Sequence, residues 1–169
     1  MANERFQYYV EGQDDEKVIN ILKTKMGLIQ PGKVTVLNVV TKRITDLHLR
    51  TLSPGTTVVL VFDTDAGSRD ILDENLRTLK RNKRVKEVII IPQVSKLEDE
   101  LVRSCNIRQI KELLNSKTND EFKHDALSVT NLDAKLRQHQ FDIDKFWTAT
   151  PPAPYQNIPN QAEKVKYAK

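Results

Sequence analysis

Four short runs of apolar residues alternate with segments in which apolar residues recur every three or four positions. The runs favour β-strands over residues 6–10, 34–40, 57–62 and 88–91. The periodic segments between them favour helices over residues 14–26, 41–52 and 68–82. Strands that are apolar on both faces and separated by helices are typical of βαβ units, whose strands are parallel. The pattern therefore predicts an α/β sandwich with a mainly parallel sheet of about four strands.

After the fourth strand the pattern changes to helices alone and then to a proline-rich end. Helical spacing covers residues 97–105, 107–114 and 132–138, and Phe146 and Trp147 are predicted to anchor these helices to the core. Prolines follow at positions 151, 152, 154 and 159 among polar residues, and proline cannot continue a helix. We therefore expect an α/β domain over residues 1–106, a helical extension packed on it over 107–149, and an irregular tail outside the core over 150–169.

Length and composition indicate a single globular domain. The chain has 169 residues, of which 38% are hydrophobic and 30% are charged, as in ordinary soluble proteins. Its apolar runs are far shorter than the roughly 18 residues that a membrane-spanning helix needs. No secretory signal pattern follows Met1, and Cys105 is the single cysteine, so no internal disulfide can form. These features predict a cytoplasmic protein without a membrane partner.

The charged residues are grouped along the chain. The 27 Lys and Arg exceed the 23 Asp and Glu by a net charge of +4, and six cations with no acid occupy residues 77–86. Such a stretch adds sequence-independent affinity for a nucleic-acid backbone, and it is also an ordinary composition for the end of a helix. The residues that we predict to contact nucleic acid are Arg77, Lys80, Arg81, Lys83 and Arg84.

Two groups of carboxylates directly follow predicted strands. Glu11 and Gly12 come after the first strand, with Asp15 close behind, and Asp63 and Asp65 come after the third. The carboxyl ends of parallel strands meet at one edge of the sheet, where α/β proteins bind ligands. Carboxylates gathered at one edge need a cation among them, and Mg²⁺ prefers oxygen ligands. The other interpretation is that each acid caps the helix that follows it.

The sequence lacks the motifs of several other kinds of site. In haloacid-dehalogenase-type phosphatases the D-x-D motif follows the first strand, whereas here it follows the third and Gly67 stands in place of Thr or Val. Neither G-x-G-x-x-G nor G-x-x-x-x-G-K-[ST] occurs, so a dinucleotide cofactor and a P-loop are unsupported. The histidines are far apart and only one cysteine is present, which leaves no zinc spacing.

The two carboxylate motifs together resemble the Toprim domain. Residues 10–15 read V-E-G-Q-D-D and residues 62–67 read F-D-T-D-A-G. In the Toprim pattern a glutamate ends the first strand and a D-x-D motif ends the third, and the resemblance covers about residues 5–106. Topoisomerases, bacterial primases, RecR-type repair proteins, small ribonuclease-maturation enzymes and OLD-family nucleases share this domain. The resemblance implies a Toprim-like Rossmannoid sandwich.

A third segment is similar to the OLD-family branch. Residues 95–101 read S-K-L-E-D-E-L and resemble the serine and glutamate that OLD-type nucleases place after the fourth strand, although S-x-x-E is also an ordinary helix capping box. Asp15 supplies the second carboxylate of that branch. OLD-type sites also use a downstream lysine, and Lys117 and Lys123 are the candidates. The sequence does not decide between them, and Lys123 is our prediction.

The resemblance implies a metal-dependent nuclease that uses one or two Mg²⁺ or Mn²⁺ ions. The implied metal ligands are Glu11, Asp15, Asp63, Asp65 and Glu98, and the implied catalytic residues are Glu11, Asp63, Asp65 and Lys123. Paired metal ions activate water and stabilise the leaving oxygen in phosphodiester cleavage. DNA is favoured over RNA as the substrate, and the family context places the activity in a defence or mobile-element system.

The resemblance also bears on partners. OLD-family proteins join their Toprim domain to an ATPase, and no ATPase motif occurs in this chain, so we expect a separate ATPase subunit; a homo-oligomer stays open. Topoisomerase or primase activity by itself is not expected, since 169 residues leave no room for the additional domains that those enzymes use. The alternative function is a non-catalytic Toprim module that binds or assembles with a partner ATPase or a repair complex.

Overall fold

A four-stranded parallel sheet forms the centre of the protein. The computed structural model describes residues 4–167, and its strands are β1 Arg5–Val10, β2 Lys33–Val36, β3 Thr56–Asp63 and β4 Val85–Gln93. They lie in the order β2-β1-β3-β4, and every pair is parallel. The predicted fold class, an α/β sandwich with a parallel four-stranded sheet, is confirmed.

Helices cover both faces of this sheet. Within residues 4–167 they are α1 Gln13–Thr24, α2 Asp46–Arg50, α3 Asp70–Arg81, α4 Leu97–Ser104, α5 Lys111–Leu114, α6 Phe122–Ser128 and α7 Leu132–Gln138, with a 3₁₀ turn over Ala162–Lys164. None of the described helices is long and apolar enough to cross a membrane. The helix predicted over 132–138 is confirmed at both ends, whereas α6 was not predicted.

The core consists of two apolar layers, one on each face of the sheet. Val59 and Val61 of β3 pack in the layer that contains α1 and α4 to α7. Leu60 and Phe62, which alternate with them, pack in the layer that contains α3. Because both faces are covered, the strand is apolar at nearly every position and shows no polar alternation. The layers place α1 and α3 on opposite sides of the sheet.

The helix predicted over residues 41–52 is wrong over most of its length. The strand β2 ends at Val36, and a loop follows until α2 begins at Asp46. Asn75 of α3 holds this loop: its Oδ1 accepts the N–H of Ile44 at 2.8 Å, and its Nδ2 donates to the carbonyl oxygen of Val39 at 2.8 Å. The apolar residues of the loop are buried by these tertiary contacts, so their spacing imitates a helix without forming one.

The prediction that residues 150–169 stay outside the core is also wrong. Between residues 150 and 167 the chain is irregular apart from the 3₁₀ turn and an isolated bridge between Ile29 and Lys166. Nevertheless Tyr155 is fully buried in one core layer, and Val165 is fully buried in the other. Apolar residues without periodicity can be buried by an irregular chain, and a periodicity argument does not detect them. Residues 168 and 169 of this prediction lie outside the described part of the chain.

The fourth strand is longer than predicted. It runs over Val85–Gln93 and includes Pro92, which pairs in register with Phe62. Proline is tolerated there because β4 is an edge strand and its outer side needs no hydrogen-bond donor. The extension matters for function, since it makes Gln93 the last residue of the strand beside Asp63. The helix predicted over 107–114 is shorter and begins at Lys111.

Candidate active site

The sheet order brings the carboxyl ends of β1 and β3 side by side at the centre of the sheet. From β1 the chain continues into α1 on one face, and from β3 it continues into α3 on the other face. In open parallel sheets, ligands bind in the crevice where neighbouring strands lead to opposite faces. Glu11 directly follows β1 and Asp63 ends β3, so both lie at this crevice.

The predicted carboxylates meet in one hydrogen-bond network. The backbone N–H of Asp63 donates to Oε2 of Glu11 at 3.0 Å. The side-chain Nε2 of Gln93 donates to Oδ1 of Asp15 and to Oδ1 of Asp63, at 2.9 Å each. Asp15 also accepts the N–H of Gly12 at 3.1 Å. Asp15 therefore stabilises the start of α1, as expected if each acid caps the helix that follows it. It also belongs to the site.

The carboxylates of this network line a cavity of about 390 Å³. The predicted metal and catalytic residues that line it are Glu11, Asp15, Asp63, Asp65, Glu98 and Lys123. Lys123 of α6 lies with its Nζ 3.8 Å from Oδ2 of Asp14. Lys117 lies in the exposed loop before α6 and is not among the residues that line the cavity. Of the two candidate lysines, the fold brings Lys123 to the carboxylates.

Burial and mutual repulsion raise the pKa of the clustered carboxyl groups. Burial, and then the charges of Glu11 and Asp15, raise the pKa of Asp63 to about 9. Burial together with the charge of Asp14 raises the pKa of Asp15 to about 7. Burial also raises the pKa of Glu11, although the hydrogen bond from Asp63 partly offsets this. The charge of Asp14 raises the pKa of Lys123. At neutral pH the carboxyl cluster therefore retains protons and Lys123 stays positive.

The donor chemistry of this cavity fits a hard divalent cation. Mg²⁺ and Mn²⁺ prefer carboxylate and water oxygens, and a cation that binds here replaces the protons that burial and mutual repulsion hold on the carboxylates. Among residues 4–167, no three Asp, Glu, His or Cys side chains already converge on a common coordination centre. Within the described residues the carboxylates thus line one cavity without forming a coordination centre.

Gln93 is the principal residue of the site that the sequence analysis missed. Its Oε1 accepts the indole N–H of Trp147 at 3.0 Å, and Trp147 is buried against Phe146 with the ring centroids 4.4 Å apart. The predicted anchoring role of these two aromatic residues is confirmed. The available signal for Gln93 was a polar residue at the end of the strand that pairs with Asp63. Because the predicted strand ended at residue 91, Gln93 was not recognised as part of the site.

The segment after β4 departs from the capping-box interpretation. Lys96, and not Ser95, occupies the N-cap of α4, and no side-chain hydrogen bond caps this helix. The carbonyl oxygen of Ser95 accepts the N–H of Thr64 at 2.8 Å, which ties this segment to the end of β3. Glu98 is half-buried in the wall of the cavity.

The basic stretch lies away from the cavity. It occupies the second half of α3 and the turn before β4, where the carbonyl oxygen of Arg84 accepts the N–H groups of Gly55 and Thr56 at the start of β3. An eight-residue strand such as β3 spans roughly 23 Å. The stretch is therefore at the amino edge of the sheet, whereas Asp63 is at the carboxyl edge. The five cations predicted to contact nucleic acid are all exposed there.

Comparison of the chain with protein families, with curated proteins and with solved structures finds no match. Parallel α/β sandwiches carry many unrelated activities, so the fold alone does not identify the function. The function has to be derived from the side chains at the carboxyl edge of the sheet.

Proposed function

We propose that this protein is a metal-dependent nuclease, with a Toprim-type site most similar to that of OLD-family nucleases. The observation that supports it is that Glu11, Asp15 and Asp63 line one cavity at the crevice between β1 and β3, and that Lys123 lines the same cavity. A divalent cation supplies an activated water and stabilises the leaving oxygen of a phosphodiester. Glu11, Asp15 and Asp63 would hold this cation, with Asp65 and Glu98 completing the predicted set.

The chain's own residues have distinct tasks in this reaction. Lys123 stays protonated beside Asp14, so it is suited to neutralise the negative charge that develops on the phosphate oxygens in the transition state. Gln93 orients Asp15 and Asp63 through its amide N–H groups. The half-buried position of Asp63 keeps it accessible from the cavity while limiting its hydration.

The proposal is tested by cleavage assays on the purified protein and on an isosteric variant. Single- and double-stranded DNA and RNA are incubated with Mg²⁺, with Mn²⁺ or with EDTA. We expect cleavage by the wild type with metal only, and a loss of at least about 100-fold in Asp63→Asn, the scale of a lost transition-state contact. The matched control is Asp46→Asn, which changes an exposed aspartate of α2 outside the cavity and should leave the rate unchanged.

One outcome would instead support the non-catalytic binding and assembly module. In that case the wild type cuts no substrate with any metal, and it binds nucleic acid or a partner protein with the same affinity as Asp63→Asn. Thermal melting gives a second readout, since a ligand that binds the native state raises the melting midpoint. Mn²⁺ should raise the midpoint of the wild type and not that of Asp63→Asn.

A further inference from the structure

A second cavity opens beside the carboxylate cavity. It has a volume of about 470 Å³ and lies between α4 on one side and the segments before α5 and α6 on the other. The two cavities share Lys96, Glu98 and Lys123 in their walls. Both volumes fall in the range of about 300–1,000 Å³ that is typical of ligand sites. The shared wall makes them two parts of one crevice.

The junction between the two cavities carries two lysines from different elements together with the carboxylate of Glu98. Lys96 precedes α4 and is exposed, and it forms no ion pair with any residue between 4 and 167. Lys123 belongs to α6, and its nearest carboxylate, Asp14, is at 3.8 Å. Two ammonium groups at one junction suit a phosphate, which accepts hydrogen bonds from both. This phosphate would lie next to the carboxylates.

Beyond the junction, the second cavity combines apolar and amide groups. Val102 of α4 and the buried Ile110 supply its apolar part. Gln109 and Asn119 also line this cavity, and the Nδ2 of Asn119 donates to Oε1 of Gln109 at 3.2 Å. The Oδ1 of Asn119 accepts the N–H of Lys111 at 3.1 Å. These contacts hold both amides in place at the wall of the cavity.

The charged groups of the second cavity are of both signs. Arg108 supplies a cation, and Asp99 and Asp120 supply anions. A site for phosphates alone would be lined by cations, because each added carboxylate repels the ligand. Hydrogen-bond donors and acceptors around an apolar wall instead match a nucleobase, which has both kinds of group along its edge and an apolar face. Arginine can also stack on that face.

We propose that the second cavity binds the base of one unpaired nucleotide, whose phosphate lies between Lys96 and Lys123 next to the carboxylates. This inference rests on the proposed nuclease function and deepens it by naming the substrate class. A base that enters this cavity exposes its edge to protein groups and so cannot be paired at the same time. The substrate is therefore a single strand or a strand with an unpaired end.

The test measures binding and cleavage of DNA strands that differ only in pairing or in one base. A fluorescent single-stranded oligodeoxynucleotide is compared with the same sequence in the stem of a hairpin and with strands that lack one base at each position in turn. Binding is measured in EDTA and cleavage with Mn²⁺. We expect the single strand to bind about tenfold more tightly than the stem, because a paired base cannot enter the cavity and Arg108 cannot stack on it. Removal of one particular base should weaken binding by a similar factor.

A variant pair locates the effect in the second cavity. Arg108→Ala removes an exposed side chain of this cavity, and it should weaken binding of the single strand about tenfold and abolish the effect of the missing base. The matched control is Arg50→Ala, an exposed arginine of α2 that lines neither cavity and lies outside the basic stretch. Binding of the short single strand should not change in this control.

The two proposals fail in different ways. The nucleotide subsite is overturned if cleavage depends on Asp63 but is equally fast for the stem and the single strand. It is also overturned if no missing base changes the cleavage. In both cases the nuclease proposal stands. If the wild type cuts nothing but still prefers the single strand, and loses that preference in Arg108→Ala, the subsite is supported and the nuclease proposal is overturned.

Discussion

At the scale of single residues, Gln93 connects the two groups of predicted acids. Its amide nitrogen donates to Asp15 and Asp63, and its oxygen accepts from Trp147. Because the indole N–H can only donate and a carboxylate can accept, these partners determine the orientation of the amide. Gln93 is therefore a positioning residue, and Trp147 acts on the carboxylates through it.

Trp147→Phe is predicted to disturb the site while keeping most of the aromatic packing. The change removes the N–H that Gln93 accepts, and a buried acceptor left without its donor costs about 1–3 kcal/mol of the free energy of unfolding. Loss of such a supporting contact commonly lowers metal affinity or activity by about 10–100-fold. Urea unfolding and the Mn²⁺ dependence of cleavage measure the two effects.

Phe146→Leu serves as the control for this prediction, because it changes the same aromatic cluster and removes no hydrogen bond to Gln93. If both variants lose stability but keep the metal dependence of the wild type, Trp147 is only an anchor of the C-terminal segment. A changed metal dependence in Trp147→Phe alone supports the positioning role.

Asp63 should make the metal-free protein less stable as the pH rises. Its pKa is about 9 in the folded protein, compared with about 4 in an unfolded chain. The folded state therefore binds this proton more tightly, so the stabilising contribution is fully present below about pH 4 and is lost as the pH rises towards about 9. Asp63→Asn is neutral throughout, and its melting midpoint in EDTA should fall less over this range than that of the wild type.

The same protons oppose metal binding at low pH. Because the carboxylates must lose their protons to bind a cation, the affinity for Mn²⁺ should rise between about pH 6 and pH 9, as Asp15 with a pKa of about 7 and Asp63 ionise. Calorimetry in buffers of different ionisation enthalpy measures the released protons. An affinity that does not depend on pH would place the cation away from this cluster.

At the scale of elements, the irregular C-terminal segment holds the loop that carries Asp65. The hydroxyl of Tyr155 donates to the carbonyl oxygen of Ser68 at 3.2 Å, and Arg69 donates to the carbonyl oxygen of Pro154 at 3.3 Å. The ring of Tyr155 lies 6.1 Å from the ring of Phe62 at the end of β3. A segment without helix or strand thus fixes the position of a site loop.

Tyr155→Ala is predicted to destabilise the protein strongly. It empties a fully buried site, and truncation of a buried aromatic residue typically costs about 3–5 kcal/mol of unfolding free energy. Tyr155→Phe removes only the hydroxyl and should cost about 1 kcal/mol. Denaturant unfolding distinguishes the two. An equally small loss in both variants would mean that residues 150–167 contribute little to the core.

At the scale of the whole molecule, charge is divided between the two edges of the sheet. The predicted metal ligands lie at the carboxyl edge, and the exposed cations between Arg77 and Lys86 lie towards the amino edge. The net charge of +4 is the difference between 27 Lys and Arg and 23 Asp and Glu over the whole chain, so it does not reveal this separation. A nucleic acid bound at both places would have to extend over roughly the length of β3, about 23 Å.

Neutralising the basic stretch should therefore weaken the binding of long nucleic acids and leave the cleavage of short ones unchanged. Lys80→Gln combined with Arg81→Gln and Lys83→Gln removes three exposed cations. Each lost phosphate contact reduces the salt dependence of binding, by a slope of about 0.7 for a single strand. We expect a smaller salt slope for a long strand and no change in cleavage of an oligonucleotide too short to reach the amino edge. A loss of activity on the short strand would contradict this separation.

The sequence by itself determined the parallel sheet and the place of the carboxylates. Continuous apolar runs and period-3.6 patterns are local properties of the chain, and strands that alternate with helices form a parallel sheet whose carboxyl ends share one edge. The motifs at Glu11 and Asp63 therefore had to lie at the same edge of the sheet, and the strand order of the tertiary structure placed them side by side. The predicted helix over 41–52 failed because Asn75, far along the chain, provides the hydrogen bonds that hold that segment as a loop.

Only the tertiary structure decided which other side chains reach the carboxylates. Gln93 is 78 residues from Asp15, and nothing in the local pattern of either segment indicates that they bond. The choice of Lys123 over Lys117 depends on where α6 packs against α1, and the separation of the basic stretch depends on the direction of α3. Contacts between distant segments follow from how helices and irregular chain pack on the sheet. Local periodicity does not contain that information.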